Sequence, residues 1–404
     1  MPNNKRPVPR KPAKQAEEPD YDALAQNLVD LAVEIAEREN LDPKTLAARE
    51  QNLATLVRRL LRRGHDEVLH GAVELALFTG PESGSHLRER VEEEAATLLV
   101  RGDGDTEFEI DAFMIPLFIS STGGLRADEV FADDAAYEEL VDSFRSGGLA
   151  SADTRIVLVR HLYDLDAVDR VRYSELQEML REAAHTLRAK KLVGAPTIEA
   201  GMRPWLDTDH APDEEAMQLR FLLGFAMKRA DDPFYRVPKT EQAADAYFEA
   251  RLARYRAWAG ANTPLLQRNL FRDPEAAAVE VNFLYQDLFY GAKRQGLSEL
   301  AMLATLADIN LRLDEQERDP ARIKAVVAPV QLGDDAVLRI NLYPLAGGAP
   351  LATVDKPLEL GSDIEVELED LCDALATLGL DGVLLARGFD AAGEPVGAEP
   401  YLSA

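Results

Sequence analysis

Apolar residues in the first hundred positions recur every three or four residues, the spacing of an amphipathic helix. Two such stripes are formed by Leu24, Leu28, Leu31 and Ile35, and by Leu46, Leu53, Leu56 and Leu60. Gly64 and the turn "GPESGS" at 80–85 then delimit two further helices. Consecutive helices with short connections predict a helical bundle over residues 21–100.

The period changes to two after residue 101. Acidic residues at 107, 109 and 111 alternate with apolar ones, and the run then becomes wholly apolar up to Ile119. This pattern predicts a strand that enters a core. Because Pro116 lacks an N–H group, we expect the strand to be an edge strand or to bulge there. "TRIVLVRHLYD" at 154–164 predicts a second strand, so residues 101–208 form an α/β segment.

Residues 209–320 are interpreted as a helical insertion, and residues 321–404 return to strands. "IKAVVAPVQL" and "AVLRINLYPL" flank a turn at 333–335, and a capping box at Ser362–Glu365 opens a helix before the last strand, "DGVLLARGFD". We expect the strands on both sides of the insertion to complete one mixed sheet with flanking helices. The predicted class is therefore α+β, with a helical N-terminal bundle.

The charge balance limits the classes of partner. The chain has 72 acidic and 45 basic residues, a net charge of -27, which repels phosphate backbones over most of the surface. The single Cys372 excludes an intrachain disulfide framework, and no run reaches the ~18 apolar residues of a membrane span. We expect a cytoplasmic protein without a membrane partner, and a disordered basic tail at 1–20.

The stretch "HDEVLH" at 65–70 is similar to a zinc-hydrolase motif. That motif needs histidines four residues apart, whereas His65 and His70 are five apart and point about 140° away from each other on a helix. Asp66 and His70 have the correct spacing and could supply two metal ligands, but a catalytic zinc needs three protein ligands. A position at the start of a helix, where capping residues belong, explains the stretch better.

The acidic series that begins with Asp103 and Asp105 is a second candidate metal site, because alternating carboxylates can converge on Ca²⁺ or Mg²⁺. The glycine that a calcium loop requires at its sixth position is replaced by Phe108. One wet face of a strand also explains the alternation. We therefore expect no metal and no cofactor.

Catalytic motifs are missing from the sequence: there is no Gly-x-Ser-x-Gly elbow, phosphate-binding loop or dinucleotide fingerprint. His161 lies at the end of an apolar strand and is followed by Asp164 and Asp166. An unfamiliar hydrolase that uses His161 with Asp164 or Asp166 is therefore one alternative hypothesis for the function.

A basic, aromatic segment at 247–272 is the strongest functional signal. It contains Tyr247, Arg251, Arg254, Tyr255, Trp258, Arg268 and Arg272. Arginine and aromatic residues dominate interface hot spots, which favours a non-catalytic adaptor or regulatory protein that binds a protein partner. Local binding of RNA or a nucleotide is a second alternative. In the other interpretation, the aromatic residues pack in the core and the arginines are solvated.

Three stretches, "IDAFMIPLFI", "ADTRIVLVRHLYDLDAV" and "LGLDGVLLARGFDAAGEP", resemble a family of cytoplasmic proteobacterial proteins of unknown function. The resemblance implies a bacterial origin and no particular activity, and it supplies no functional residues. Members of that family have a cysteine pair after the final strand. This chain has "AAGEPVGAEP" there, so the resemblance implies no metal knuckle.

Overall fold

The computed structural model describes residues 21–37, 41–102, 106–121, 134–188, 217–270, 279–285, 288–315, 319–333, 335–358, 362–380, 382–390 and 392–401. These residues form an α+β fold, as the sequence predicts. None of the helices in these ranges is both long and apolar enough to cross a membrane.

The N-terminal bundle is confirmed. It consists of α1 (Tyr21–Ala36), α2 (Pro43–Leu61), α3 (Asp66–Thr79) and α4 (Pro81–Ala96). The predicted leucine stripes meet in one core, where Leu28, Leu53 and Leu69 are fully buried. Asp42 caps α2 by accepting hydrogen bonds from the backbone of Lys44 and Thr45.

The first sheet is antiparallel and contains two unusually long strands. Its members are β1 (Thr97–Arg101), β2 (Glu107–Ser121), β3 (Arg155–Tyr163), β4 (Met217–Arg229) and β5 (Val279–Phe283). The order is β1-β2-β4-β3, and β5 pairs with β2 on the same side as β1. The centre of the sheet is therefore the β2–β4 pair, which is in register from Phe108–Arg229 to Ser120–Met217.

Pro116 lies in an interior strand, so the prediction of an edge strand is wrong as stated. On one side β2 pairs with β4 along its whole length. On the other side β1 pairs only as far as Asp111, and β5 begins at Leu117. The carbonyl of Pro116 accepts a hydrogen bond from Leu284 N on that second side. The nitrogen and the carbonyl of one strand residue point to the same side, so the Pro116 nitrogen faces the gap between β1 and β5. The proline is tolerated because no described strand pairs with this side of β2 between the end of β1 and the start of β5, so no partner requires its N–H.

Helices cover both faces of this sheet. One face packs against α6 (Leu165–Asp169) and α7 (Tyr173–Arg188), and its core includes Phe221 and Phe225. The other face packs against α5 (Asp134–Ser146) and α8 (Glu241–Leu270). A strand buried on both faces is apolar without a period of two, which is how β4 reads in sequence.

A second sheet follows α9 (Phe289–Glu315). It contains β6 (Ile323–Leu332), β7 (Asp335–Pro344), β8 (Ala352–Pro357), β9 (Gly382–Leu385) and β12 (Glu399–Pro400), in the order β12-β9-β6-β7-β8. Helix α10 (Ile364–Thr377) packs on it, and its N-cap is Asp363, one residue after the Ser362 that the capping box predicts. A separate short hairpin is formed by β10 (Gly388–Phe389) and β11 (Pro395–Val396).

The prediction of one shared sheet is wrong, and the segment 209–320 is not wholly helical. Strands β4 and β5 lie inside that segment and belong to the first sheet, whereas the strands after residue 320 form the second sheet and the β10–β11 hairpin. Helix α9 explains the separation. Its first turn packs on the first sheet through Phe289 and Ala292, and its last turns pack on the second through Ile309 and Leu313. Its 27 residues span about 40 Å, so the chain leaves the first sheet before β6 begins.

Candidate functional site

A cavity of about 460 Å³ opens at the end of the first sheet where β1, β2 and β4 meet α4 and the start of α9. Its apolar floor includes Phe113, Phe144, Ile156 and Ala226. Phe113 lies directly over Gly224 of β4, where a side chain would come within 2.3 Å of the ring. The glycine therefore lets the ring lie against the sheet and form the floor.

A polar row borders this floor. Lys228 Nζ lies 2.5 Å from Asp111 Oδ2 and 2.9 Å from Glu109 Oε1, and Thr97 Oγ1 donates to Asp111 Oδ1 at 3.0 Å. Lys228 also lies 4.6 Å from the centroid of the Tyr235 ring. Glu109 and Lys228 are directly paired across strands, as are Thr97 and Asp111. The register of three strands therefore builds the row.

Burial sets the electrostatics of the row. Burial raises the pKa of the Asp111 carboxyl above its usual value, although the neighbouring Lys228 opposes this shift. For Lys228, burial by itself lowers the pKa, but the ion pair and hydrogen bonds with Asp111 and Glu109 outweigh it, so the pKa is raised. Lys228 therefore remains a cation that holds the carboxylates in place.

The opposite wall of the cavity comes from α4 and α9. Glu92 forms an ion pair with Arg294, and Glu89 and Glu93 are exposed at the rim. The lining has four carboxylates, Asp111, Glu89, Glu92 and Glu93, and three cationic side chains, Lys228, Arg251 and Arg294. Glu93 forms an ion pair with Arg90, so the excess of one carboxylate in the lining favours neutral or cationic molecules over anions only weakly.

The basic, aromatic segment buries two of its aromatic residues in the core. Tyr255 and Trp258 are buried, at 4% and 2% exposure, so the hypothesis that they bind a partner directly is wrong. Trp258 packs against Phe144 and donates from Nε1 to Ser143 Oγ at 2.7 Å. The α8 helix needs this apolar face because it covers the sheet.

The remaining residues of the segment are dispersed. Arg251 lines the cavity, and Arg254 is half-buried beside Gly148. Tyr247 is half-buried and Arg268 is exposed. Arg272 lies outside the described residues. Among the described residues of this set, only Arg251 therefore lines the cavity.

The "HDEVLH" stretch opens α3, as the preferred interpretation predicts, but His65 at the N-cap makes no side-chain capping bond, and Asp66 instead caps a distant helix. Asp66 is 6% exposed and accepts hydrogen bonds from Ser174 N at 2.8 Å and Ser174 Oγ at 2.5 Å, in the first turn of α7. His70 instead stacks on Tyr173, with ring centroids 4.4 Å apart. Both oxygens of Asp66 accept from Ser174, and among the described residues no third His, Cys, Asp or Glu joins Asp66 and His70 in a group that could hold a metal ion.

Two described residues of the acidic series form ion pairs instead of a metal site. Asp103 and Asp105 lie outside the described residues, while Glu109 and Asp111 pair with Lys228. In the part of the chain that the structure describes, no group of three or more His, Cys, Asp or Glu side chains is placed to hold a metal ion.

The candidate catalytic residues lie outside the cavity. His161 is 7% exposed, packs edge-on against Tyr163 and occupies the irregular part of β3, between Leu158 and Leu162. Asp164 caps α6 by accepting from Ala167 N at 2.7 Å, and Asp166 is exposed. Asp164 therefore has a structural role as the cap of α6.

Sequence reasoning missed the cavity because its residues come from distant parts of the chain. Lys228 ends the apolar run "LRFLLGFAMK" and was the available signal, since a lysine at the end of a buried strand needs a carboxylate partner. Comparisons with protein-family models, curated proteins and solved structures gave no match to this chain.

Proposed function

We propose that the protein binds a small, largely apolar molecule in the cavity between the first sheet, α4 and α9. The observation that supports this proposal is the combination of an apolar floor with one row of fixed polar groups, Thr97, Asp111 and Lys228. Ligand sites are typically concave and apolar, with few polar groups that orient the ligand. The volume of about 460 Å³ lies in the range of such sites.

The chemistry of the lining limits the ligand. Asp111 offers a carboxylate oxygen and Lys228 an ammonium donor at one end of an apolar floor. Because carboxylates outnumber cationic side chains in the lining by four to three, a neutral or cationic ligand with one hydrogen-bonding group fits best. This proposal keeps the binding role expected from the sequence and moves it from the buried aromatic residues of α8 to the cavity. A cytoplasmic location is part of the same proposal, supported by the single cysteine.

A fluorescence titration with Nile red, a neutral apolar dye with one carbonyl group, tests the proposal. We expect saturable binding of one dye molecule per chain. Ala226→Phe places a ring in the cavity and should weaken binding about tenfold or more. The matched control is Ala257→Phe, at an exposed position of α8 outside the cavity, which should bind as the wild type does.

The controls separate cavity binding from nonspecific adsorption. Circular dichroism and urea unfolding of both variants show whether each is folded before its affinity is compared. If a folded Ala226→Phe variant binds Nile red as tightly as the wild type, or if the wild type shows no saturable binding, the proposal is wrong.

A further inference from the structure

An arginine-lined groove lies on the N-terminal bundle, away from the cavity. The end of α2 and the turn after it supply Arg58, Arg59, Arg62 and Arg63, and together with Thr55 they line a surface groove of about 470 Å³. The sequence "RRLLRRG" at 58–64 explains this arrangement. Its two leucines, Leu60 and Leu61, are buried in the bundle core, so the four arginines are left on the outer side.

The four arginines have few internal partners. Arg58 forms a two-point ion pair with Glu94, with Nε–Oε2 and Nη2–Oε1 distances of 2.5 Å and 2.7 Å. Arg59, Arg62 and Arg63 are exposed, and the structure gives them no ion pair with any described residue. In a chain with 72 acidic and 45 basic residues, an arginine readily finds a carboxylate. Three neighbouring arginines without one are therefore unexpected.

The helix dipole explains only part of this cluster. Cations near a helix C-terminus are favourable, and Arg58 and Arg59 lie in the last turn of α2. Arg62 and Arg63 follow the last helical residue, so four cations accumulate where one or two would satisfy the dipole. Their mutual repulsion is relieved when an anion binds between them.

We propose that this groove binds the phosphate groups of a small phosphorylated molecule. Guanidinium groups form paired, charge-assisted hydrogen bonds with phosphate oxygens, and arginine is preferred wherever such two-point recognition matters. From Arg58 to Arg63 the groove follows about 8 Å of helix axis, which accommodates one or two phosphates. A long nucleic-acid strand fits less well, because the net charge of -27 repels phosphates beyond the groove.

The test is isothermal titration calorimetry of the full chain with inorganic pyrophosphate at low ionic strength. We expect one site per chain and an affinity that falls as salt is added. Arg62→Ala combined with Arg63→Ala should weaken binding about tenfold or more, because two charge-assisted contacts are lost. Both side chains are exposed, so the fold should be unaffected.

The matched control removes the same two charges elsewhere. Arg256→Ala with Arg268→Ala changes two exposed arginines of α8 and should leave pyrophosphate binding unchanged. Equal losses in the two double variants would show a general effect of net charge and overturn the proposal, as would absence of pyrophosphate binding to the wild type. A single-stranded oligonucleotide that binds at the groove more tightly than pyrophosphate would assign it to nucleic acid instead.

Discussion

The hydrogen bonds between Asp66 and Ser174 predict a measurable coupling between the N-terminal bundle and α7. Asp66 is buried at 6% exposure, and its two oxygens accept from the backbone N–H and the hydroxyl of Ser174. A hydrogen bond to a charged group contributes about 1.5–3 kcal/mol. Asp66→Ala removes both bonds and leaves an N–H at the start of α7 without its cap. We expect the free energy of unfolding to fall by about 3 kcal/mol.

Urea unfolding followed by circular dichroism measures this loss. The matched control is Glu67→Ala, which removes a neighbouring exposed carboxylate from the first turn of α3 and should cost under about 0.5 kcal/mol. Ser174→Ala removes only the hydroxyl contact with the Asp66 carboxylate and should cost about 1.5 kcal/mol. The double variant should then lose less than the sum of the two single variants. An Asp66→Ala variant as stable as Glu67→Ala would refute the reasoning.

Two further predictions concern the α8 core and the pH dependence of stability. Trp258→Ala should lower the free energy of unfolding, measured in urea, by about 3–5 kcal/mol, because removal of a ring at 2% exposure leaves a cavity against Phe144. A loss of partner binding with unchanged stability would contradict this core role. Burial lowers the pKa of His70, which stacks on Tyr173, so the unfolded chain takes up its proton at a higher pH than the folded chain. The ordinary histidine pKa of 6.5 applies to the unfolded chain. The contribution of neutral His70 to the free energy of unfolding is therefore present above pH 6.5 and is lost as the pH falls below it. His70→Phe keeps the ring contact and should flatten this acid-side slope in urea unfolding at several pH values; an unchanged slope would assign it to other groups.

Local sequence patterns correctly predicted the helices and strands whose interacting residues are close together in the chain. The leucine stripes of α1 and α2 predicted the bundle because a period of 3.6 residues places them on one face. The capping box before α10 predicted its start to within one residue, because the N-cap, Asp363, accepts from the backbone of Glu365, two residues away. The β6–β7 hairpin was predicted because its turn residues separate two apolar runs.

The elements that were missed depend on distant partners. Strand β4 has no period of two because helices cover both of its faces, and its apolar run was read as part of a helical segment. Its pairing with β2 joins Ile110 to Met227, and such a pairing leaves no local signal. The aromatic residues of α8 posed a similar difficulty: a stripe that contains Tyr255 and Trp258 is compatible with a surface or a core until the sheet beneath it is known.

The sequence by itself determined the fold class, the N-terminal bundle and the local caps, because each depends on residues within a few positions of one another. Only the tertiary structure decided the number of sheets, the burial of Trp258 and the partner of Asp66, which lies 108 residues away. The cavity belongs to this second group, since Thr97, Asp111 and Lys228 become neighbours only through the register of three strands. The arginine groove was determined partly by the sequence and partly by the tertiary structure. The sequence "RRLLRR" predicts a basic helix face, but it does not predict that three of its arginines lack ion pairs with described residues. Whether these arginines form ion pairs depends on where the tertiary structure places the carboxylates of other helices and strands.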